Sequence, residues 1–262
     1  KINNFILFTK YKIIKKYLDK NKIKIKIVDI NNKKNNILVN KYNILYIYSF
    51  NTKNSIENSY KSLVYSYKYT KKNNLKGIIN LPINKEKIIK HIDNKFIGQT
   101  EFYQKLDNKK ISNMIFIYKK LIITTLTTHI EINKITKNLS KKNIIYDKII
   151  SLNNVLIDKL INKKPKFIIS GINPHASENN MFGNDEEKIL IPQIKKIKKK
   201  NIYIKGPFSA DSILNNTNLK KYNCFIFCYH DQALVAYKYI SKNRGINFTG
   251  GLSIIRVSPD HG

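Results

Sequence analysis

The chain is predicted to be an α/β protein in which helices cover a mostly parallel sheet. Three features point there. Short apolar runs of strand length alternate with longer amphipathic stretches of helix length. The runs are rich in Ile, Val, Tyr and Phe, which suit a pleated, buried surface. At 262 residues, the chain can bury a sizeable core and form one large or two modest domains.

The elements follow in order. Residues 5–8, 23–28, 44–48 and 77–79 read as strands, and 10–19 and 55–72 as the helices between them. Residues 114–117 and 121–128 look like paired strands. A long helix over 142–162 precedes a strand over 166–170. Residues 185–200 form a helix with acids in the first turn and lysines in the last, as the helix dipole favours. Strands over 202–205, 224–228 and 253–257 complete the pattern. There is no internal repeat and no Gly/Ser linker. The polar stretch 106–113 marks the domain boundary, giving domains over 1–108 and 109–262.

A net charge of +32 first suggests a nucleic-acid binder. The way the charge is written argues otherwise. Of 49 basic residues only Arg244 and Arg256 are arginine, and the lysines are spread over every segment. Lys, Asn, Ile and Tyr share AT-rich codons, so a skewed genome accounts for the bias without a specific polyanion. Cys224 and Cys228 lie four apart in one strand, about 13 Å, too far for a disulfide. Free core thiols imply a reducing compartment, and the expectation is cytoplasmic. No apolar run reaches membrane-spanning length. The opening Lys1-Ile-Asn-Asn-Phe-Ile-Leu-Phe is too short in apolar residues for a signal peptide and lacks the Arg of a transit peptide. A first residue other than Met suggests a chain trimmed from a longer one.

In such a biased composition, the rare residues are informative. Seven of nine glycines, three of five histidines and both arginines fall between Gly171 and Gly262. His129 ends Thr124-Thr-Leu-Thr-Thr-His; His175 and His230 follow the strands over 166–170 and 224–228. Ligands in α/β sheets bind at the carboxyl ends of strands. Three neutral imidazoles leaving an open position would make a catalytic divalent-metal site. Their spacings of 46 and 55 residues match no local zinc signature, and each alone reads equally well as a loop histidine. Thr100 lies near a helix N-terminus, a natural anion site, and Asp211 lies in a turn after a strand. Lys238, Asn247 and Arg256 follow His230; a guanidinium offers a planar fork for phosphate or carboxylate. No dinucleotide GxGxxG fingerprint and no phosphate-cradling Walker loop is present.

These motifs closely resemble the 4-hydroxythreonine-4-phosphate dehydrogenase family of vitamin B6 biosynthesis. They are Gly-Ile-Asn-Pro-His-Ala (171–176), Phe-Gly-Asn-Asp-Glu-Glu (182–187), Gly-Pro-Phe-Ser-Ala-Asp (206–211), Tyr-His-Asp-Gln (229–232) and Ile-Arg-Val-Ser-Pro-Asp-His-Gly (255–262). Leu-Pro-Ile-Asn-Lys (81–85), Gly-Gln-Thr-Glu-Phe (98–102) and Thr-Thr-His (127–129) precede them in the family's order. The resemblance implies a homodimer of two-domain α/β/α subunits like isocitrate and isopropylmalate dehydrogenases, with a cleft between domains. It implies NAD, bound by a route other than the Gly-rich fingerprint, and one divalent metal, zinc before cobalt or magnesium. His129 and His175 would bind the metal together with His230 of the second subunit. Gln99, Thr100, Lys238, Asn247 and Arg256 fall on substrate-binding positions, with Lys238 and Asp211 as the candidate catalytic groups.

There are departures from the family. Gln99 stands where it usually has His. Ser177, Asn179 and Asn180 stand where it is richer in glycine, and Ala233 follows Asp-Gln in place of Gly. The family's first strand with its Gly/Pro-rich loop, and its last segment, fall outside this sequence. Two further readings remain open: a dehydrogenase of threonate or erythronate 4-phosphate, and an inactive scaffold with a basic RNA-binding surface.

Overall fold

The computed structural model describes residues 5–31 and 43–260. Residues 1–4 of the opening stretch and His261 and Gly262 of the last motif lie outside them. The chain divides into two units: 1–76 with 83–96, and 77–82 with 97–262. The division comes earlier than the polar stretch 106–113, because the helix preceding that stretch packs with the second unit.

The first unit holds a parallel three-stranded sheet, order β1-β3-β2, from β1 (Ile6–Phe8), β2 (Lys26–Asp29) and β3 (Ile44–Tyr48). Its helices are α1 (Tyr11–Lys20), α2 (Ser55–Lys72) and α3 (Lys85–His91). Helix α2 begins where predicted because the Asn54 side chain accepts from the amides of Ile56 and Glu57, a good N-cap. Phe8, Tyr48, Tyr65 and Tyr69 form a ring cluster within this unit.

The second unit is built on an eight-stranded sheet, order β4-β11-β10-β5-β6-β9-β7-β8. The strands are β4 (Ile78–Ile79), β5 (Asn113–Tyr118), β6 (Leu121–Thr125), β7 (Lys166–Ser170), β8 (Tyr203–Phe208), β9 (Cys224–Phe227), β10 (Ile246–Gly250) and β11 (Arg256–Pro259). β5 and β6 form the expected antiparallel hairpin, whereas β6, β9, β7 and β8 run parallel. β10 joins β5 and β11 antiparallel.

Helices α4 (Gln99–Leu106), α5 (Ile135–Leu139), α6 (Ile144–Val155), α7 (Ile191–Lys198), α8 (Asn216–Lys221) and α9 (His230–Ser241) belong to this unit. The central parallel strands β7 and β9 are apolar on both faces, as parallel strands covered on both sides must be. On β9, Cys224 and Ile226 face one core with Ile145, Ile149 and Ile194 of α6 and α7. Phe225 and Phe227 face the other, with Ala233, Leu234 and Tyr237 of α9. This period-two alternation makes the unit an α/β/α sandwich. Both cysteines are free and fully buried, and burial pushes the Cys228 thiol up to about 12. Among the described residues no helix is long and apolar enough to cross a membrane.

Candidate active site at the carboxyl ends of the parallel strands

β6, β9, β7 and β8 are neighbours, and the segments that follow their carboxyl ends carry His129, His230 (the first residue of α9), His175 and Asp211 in that order. Parallel pairing does not stop with the strands. The amides of Leu126 and Thr127 donate to the carbonyls of Phe227 and Cys228 at 2.8 and 3.1 Å, and the Thr127 hydroxyl also donates to Cys228 O at 2.8 Å. The two loops are therefore held level, and the His129 and His230 rings lie 5.5 Å apart, centroid to centroid, within one chain. Two imidazoles on a tetrahedral zinc, with Zn–N about 2.1 Å, have ring centres roughly 5 Å apart. The spacing therefore fits a shared ion.

Both rings are oriented by carboxylates. His129 Nδ1 faces Glu101 Oε1 at 3.2 Å, and His230 Nδ1 faces Asp231 Oδ1 at 2.7 Å. A carboxylate only accepts, so Nδ1 is the donor in each pair, and a neutral ring held this way presents the Nε2 lone pair that a metal needs. Burial alone would raise the Glu101 pKa. The hydrogen bond and charge of His129, with the Thr128 hydroxyl, outweigh it and hold the carboxyl below its ordinary range.

His175 lies in a different loop, its ring 5.8 Å from that of Phe182. Residues 175–180 all adopt positive φ although none is glycine. Such backbone costs about 1–2 kcal/mol per L-residue, less for Asn, so something must hold it. Glu186 does: its carboxylate accepts from the amides of Ile172 and Asn173 at 2.7 and 2.8 Å, from Asn173 Nδ2 at 3.0 Å, and from the Ser177 hydroxyl. Burial opposes ionisation of Glu186, but the hydrogen bonds from Ser177 and Asn173 prevail and lower its pKa. Gly171 is required here, since a Cβ would lie 2.7 Å from Ala176 Cα and 2.9 Å from Glu186 Oε1. Gln232 ties this loop to that of His230: it accepts from Ser170 Oγ and Cys228 N, and donates to Gly171 O, each at 2.9 Å. Asp211 is exposed; the Ser209 hydroxyl at 2.6 Å, and secondarily the charge of His175, lower its pKa. Among the described residues no group of three or more His, Cys, Asp or Glu side chains is placed to hold a metal within one chain.

Gln99 and Thr100, at the start of α4, meet a second polar cluster. Arg256 is 2% exposed. It donates from Nε to Asn80 Oδ1 at 2.7 Å, from Nη1 to Thr249 Oγ1 at 3.0 Å and from Nη2 to Gln99 Oε1. The Tyr103 ring lies 5.8 Å from its guanidinium carbon. All three acceptors are neutral, and burial brings its pKa down to about 10. A guanidinium has five N–H donors. Three are engaged, one on each nitrogen, which leaves one N–H on each Nη. Thr100 Oγ1 meets Thr249 Oγ1 at 3.4 Å, and Gln99 Nε2 donates to Leu81 O at 3.1 Å. Asn247 Oδ1 is buried with no partner among the described residues. Lys238 lies two turns along α9 from His230 and is half-buried.

The structure thus groups Gln99, Thr100 and Arg256, and separately His129 with His230. It leaves His175 and Asp211 on neighbouring loops. Sequence reading passed over Glu101, Glu186 and Gln232, although all three stand inside quoted motifs. An acid in a chain with 17 acids against 49 bases was the available signal. Lys148 of α6 gave none; burial pushes its ammonium down to about 8, with the charge of Glu101 opposing.

A family model described as pyridoxal phosphate biosynthetic protein PdxA matches residues 1–262. A relative from a Sulfurihydrogenibium species, named 4-hydroxythreonine-4-phosphate dehydrogenase, is 35% identical over 185 residues, 71% of this chain and 56% of that one. A relative from Pectobacterium atrosepticum, named D-threonate 4-phosphate dehydrogenase, is 31% identical over the same shares. The matched segment is thus little more than half the length of these curated relatives. The crystal structure of 4-hydroxythreonine-4-phosphate dehydrogenase from Klebsiella pneumoniae superposes with a TM-score of 0.83. It covers 98% of this chain and 80% of that one at 21% identity, which establishes the shared fold. From motifs, fold and family match together, the chain belongs to the pyridoxal phosphate biosynthetic protein PdxA family.

Proposed function

We propose that the chain oxidises and decarboxylates 4-phosphohydroxy-L-threonine to 3-amino-2-oxopropyl phosphate, using NAD and a divalent metal, as a cytoplasmic homodimer. The observation that carries this reading is α4, whose first three residues touch both clusters: Gln99 and Thr100 reach the Arg256 cage, and Glu101 reaches His129. An anion holder and an imidazole pair joined through one helical turn suit a small phosphorylated hydroxy acid.

In this reading Arg256, with Thr100 and Asn247, grips the phosphate or carboxylate through charge-assisted hydrogen bonds. A divalent ion, when bound at the imidazoles, would lower the pKa of the substrate hydroxyl and ease hydride loss to NAD. The β-keto acid so formed loses carbon dioxide. Lys238 offers positive charge and a proton to the enolate that remains, and Asp211 steadies the His175 loop electrostatically. The resemblance places His230 on the second subunit. The His129–His230 spacing within one chain instead favours His175 as the imidazole that the second copy supplies.

A second substrate, threonate 4-phosphate, is favoured by the hydrogen bond between Gln99 and Arg256, since a neutral amide now sits at a substrate-contacting position. Steady-state NADH formation from the two substrates separates the readings. A higher kcat/KM for 4-phosphohydroxy-L-threonine supports the first; preference for threonate 4-phosphate supports the second. Salt-sensitive RNA binding with no turnover of either would support the inactive scaffold.

A further inference from the structure

We propose that Glu101 is a positioning residue that fixes the tautomer of His129 and thereby sets the affinity of the metal site. This rests on the reading of His129 as a metal ligand and goes beyond it, since Glu101 does not itself bind the ion. Four observations support it. Glu101 Oε1 faces His129 Nδ1 at 3.2 Å. The Thr128 hydroxyl donates to the same oxygen at 3.2 Å, fixing the carboxylate. The second oxygen, Oε2, is buried and has no hydrogen-bond partner among the described residues, so the side-chain hydrogen bonds both fall on Oε1. Gly98 opens the space: a Cβ there would lie 2.8 Å from Glu101 Oε2 and 3.5 Å from His129 Cε1.

The physical consequence is direct. A neutral imidazole divides its population between two tautomers, and only that with hydrogen on Nδ1 presents Nε2 as a ligand. An acceptor at Nδ1 selects it and locks the ring plane. Partners of this kind are typically worth about 10- to 100-fold in metal affinity. The placement on α4 adds a further role. Gln99 and Thr100 are packed against Arg256 and Thr249, so the same helical turn spaces the imidazole from the anion cage.

The test is cobalt(II) titrated into the metal-free full chain, read by its visible absorption, with imidazole 15N chemical shifts read on the metal-free protein. Glu101→Ala should weaken cobalt binding about 10- to 100-fold and lose the His129 Nδ1–H signature. Glu101→Gln keeps an accepting oxygen and should stay close to wild type on both readouts. Gly98→Ala, which displaces the carboxylate without removing it, should weaken binding in the same direction. Inorganic phosphate should still bind in every variant, whereas unfolding of α4 would abolish both. Unchanged cobalt affinity in Glu101→Ala would overturn the proposal, as would a Gln variant as weak as the Ala one. His129→Ala is the separate control. If it too binds cobalt like wild type, the metal reading itself fails.

Discussion

Replacing Arg256 with Lys keeps the charge and removes the fork. The guanidinium holds three neutral acceptors and has two N–H groups left, one on each Nη. A lysine ammonium reaching the same place has three donors on one atom and cannot serve Asn80, Thr249 and Gln99 while also gripping an anion bidentately. Hydrogen bonds to a charged group are worth about 1.5–3 kcal/mol each. Retaining one of the two anion contacts leaves a net loss of about 1.5–3 kcal/mol, roughly 10- to 150-fold in affinity. Stranding at least one buried acceptor should also cost about 1–3 kcal/mol of stability. Calorimetric titration with the phosphorylated hydroxy acid measures the first, and urea unfolding the second. If Arg256→Lys binds the ligand as tightly as wild type, the fork argument is wrong and the anion lies elsewhere.

Further outcomes follow from the same geometry. Chains carrying His129→Ala and His175→Ala should each lose metal-dependent turnover, yet a mixture should regain part of it through dimers containing one complete site. Recovery instead from His129→Ala with His230→Ala would put His230 in trans. Ala176→Gly should raise the unfolding free energy by about 1 kcal/mol, because Ala176 sits at φ 52° where glycine is unstrained; a decrease in denaturant titration would contradict the backbone account. The Glu186 carboxyl has a lowered pKa in the folded state, so its stabilising effect is complete above the ordinary value of 4.5 and is lost as pH falls through the folded value. Glu186→Gln should therefore flatten the acid limb of stability against pH, and an unaltered limb would exclude Glu186 as its source.

The strands of the second unit were legible because they are apolar on both faces and short. β7 and β9 appear within a residue of where the pattern puts them. β10 was not. No strand is expected over 245–251, where glycines and polar residues interrupt the apolar pattern, yet the segment pairs with β5 and β11, and its polar residues are Asn247 and the Thr249 that holds Arg256. Helix α9 was hidden for a related reason: Tyr237 packs inward while Val235 and Tyr239 are exposed, so no clean apolar stripe shows. For the site, the rare residues His129, His230 and Arg256 stood out from a lysine-rich background. Their supports did not, because Glu101, Glu186, Gln232 and Asn80 act through loops brought together only by strand order.

The central claim is tested most directly by following NADH and carbon dioxide together from 4-phosphohydroxy-L-threonine, using metal-free protein before and after adding zinc or cobalt. The account predicts no turnover without metal, and equal yields of both products once it is restored. Turnover that is indifferent to metal, or NADH formed without carbon dioxide, would contradict it.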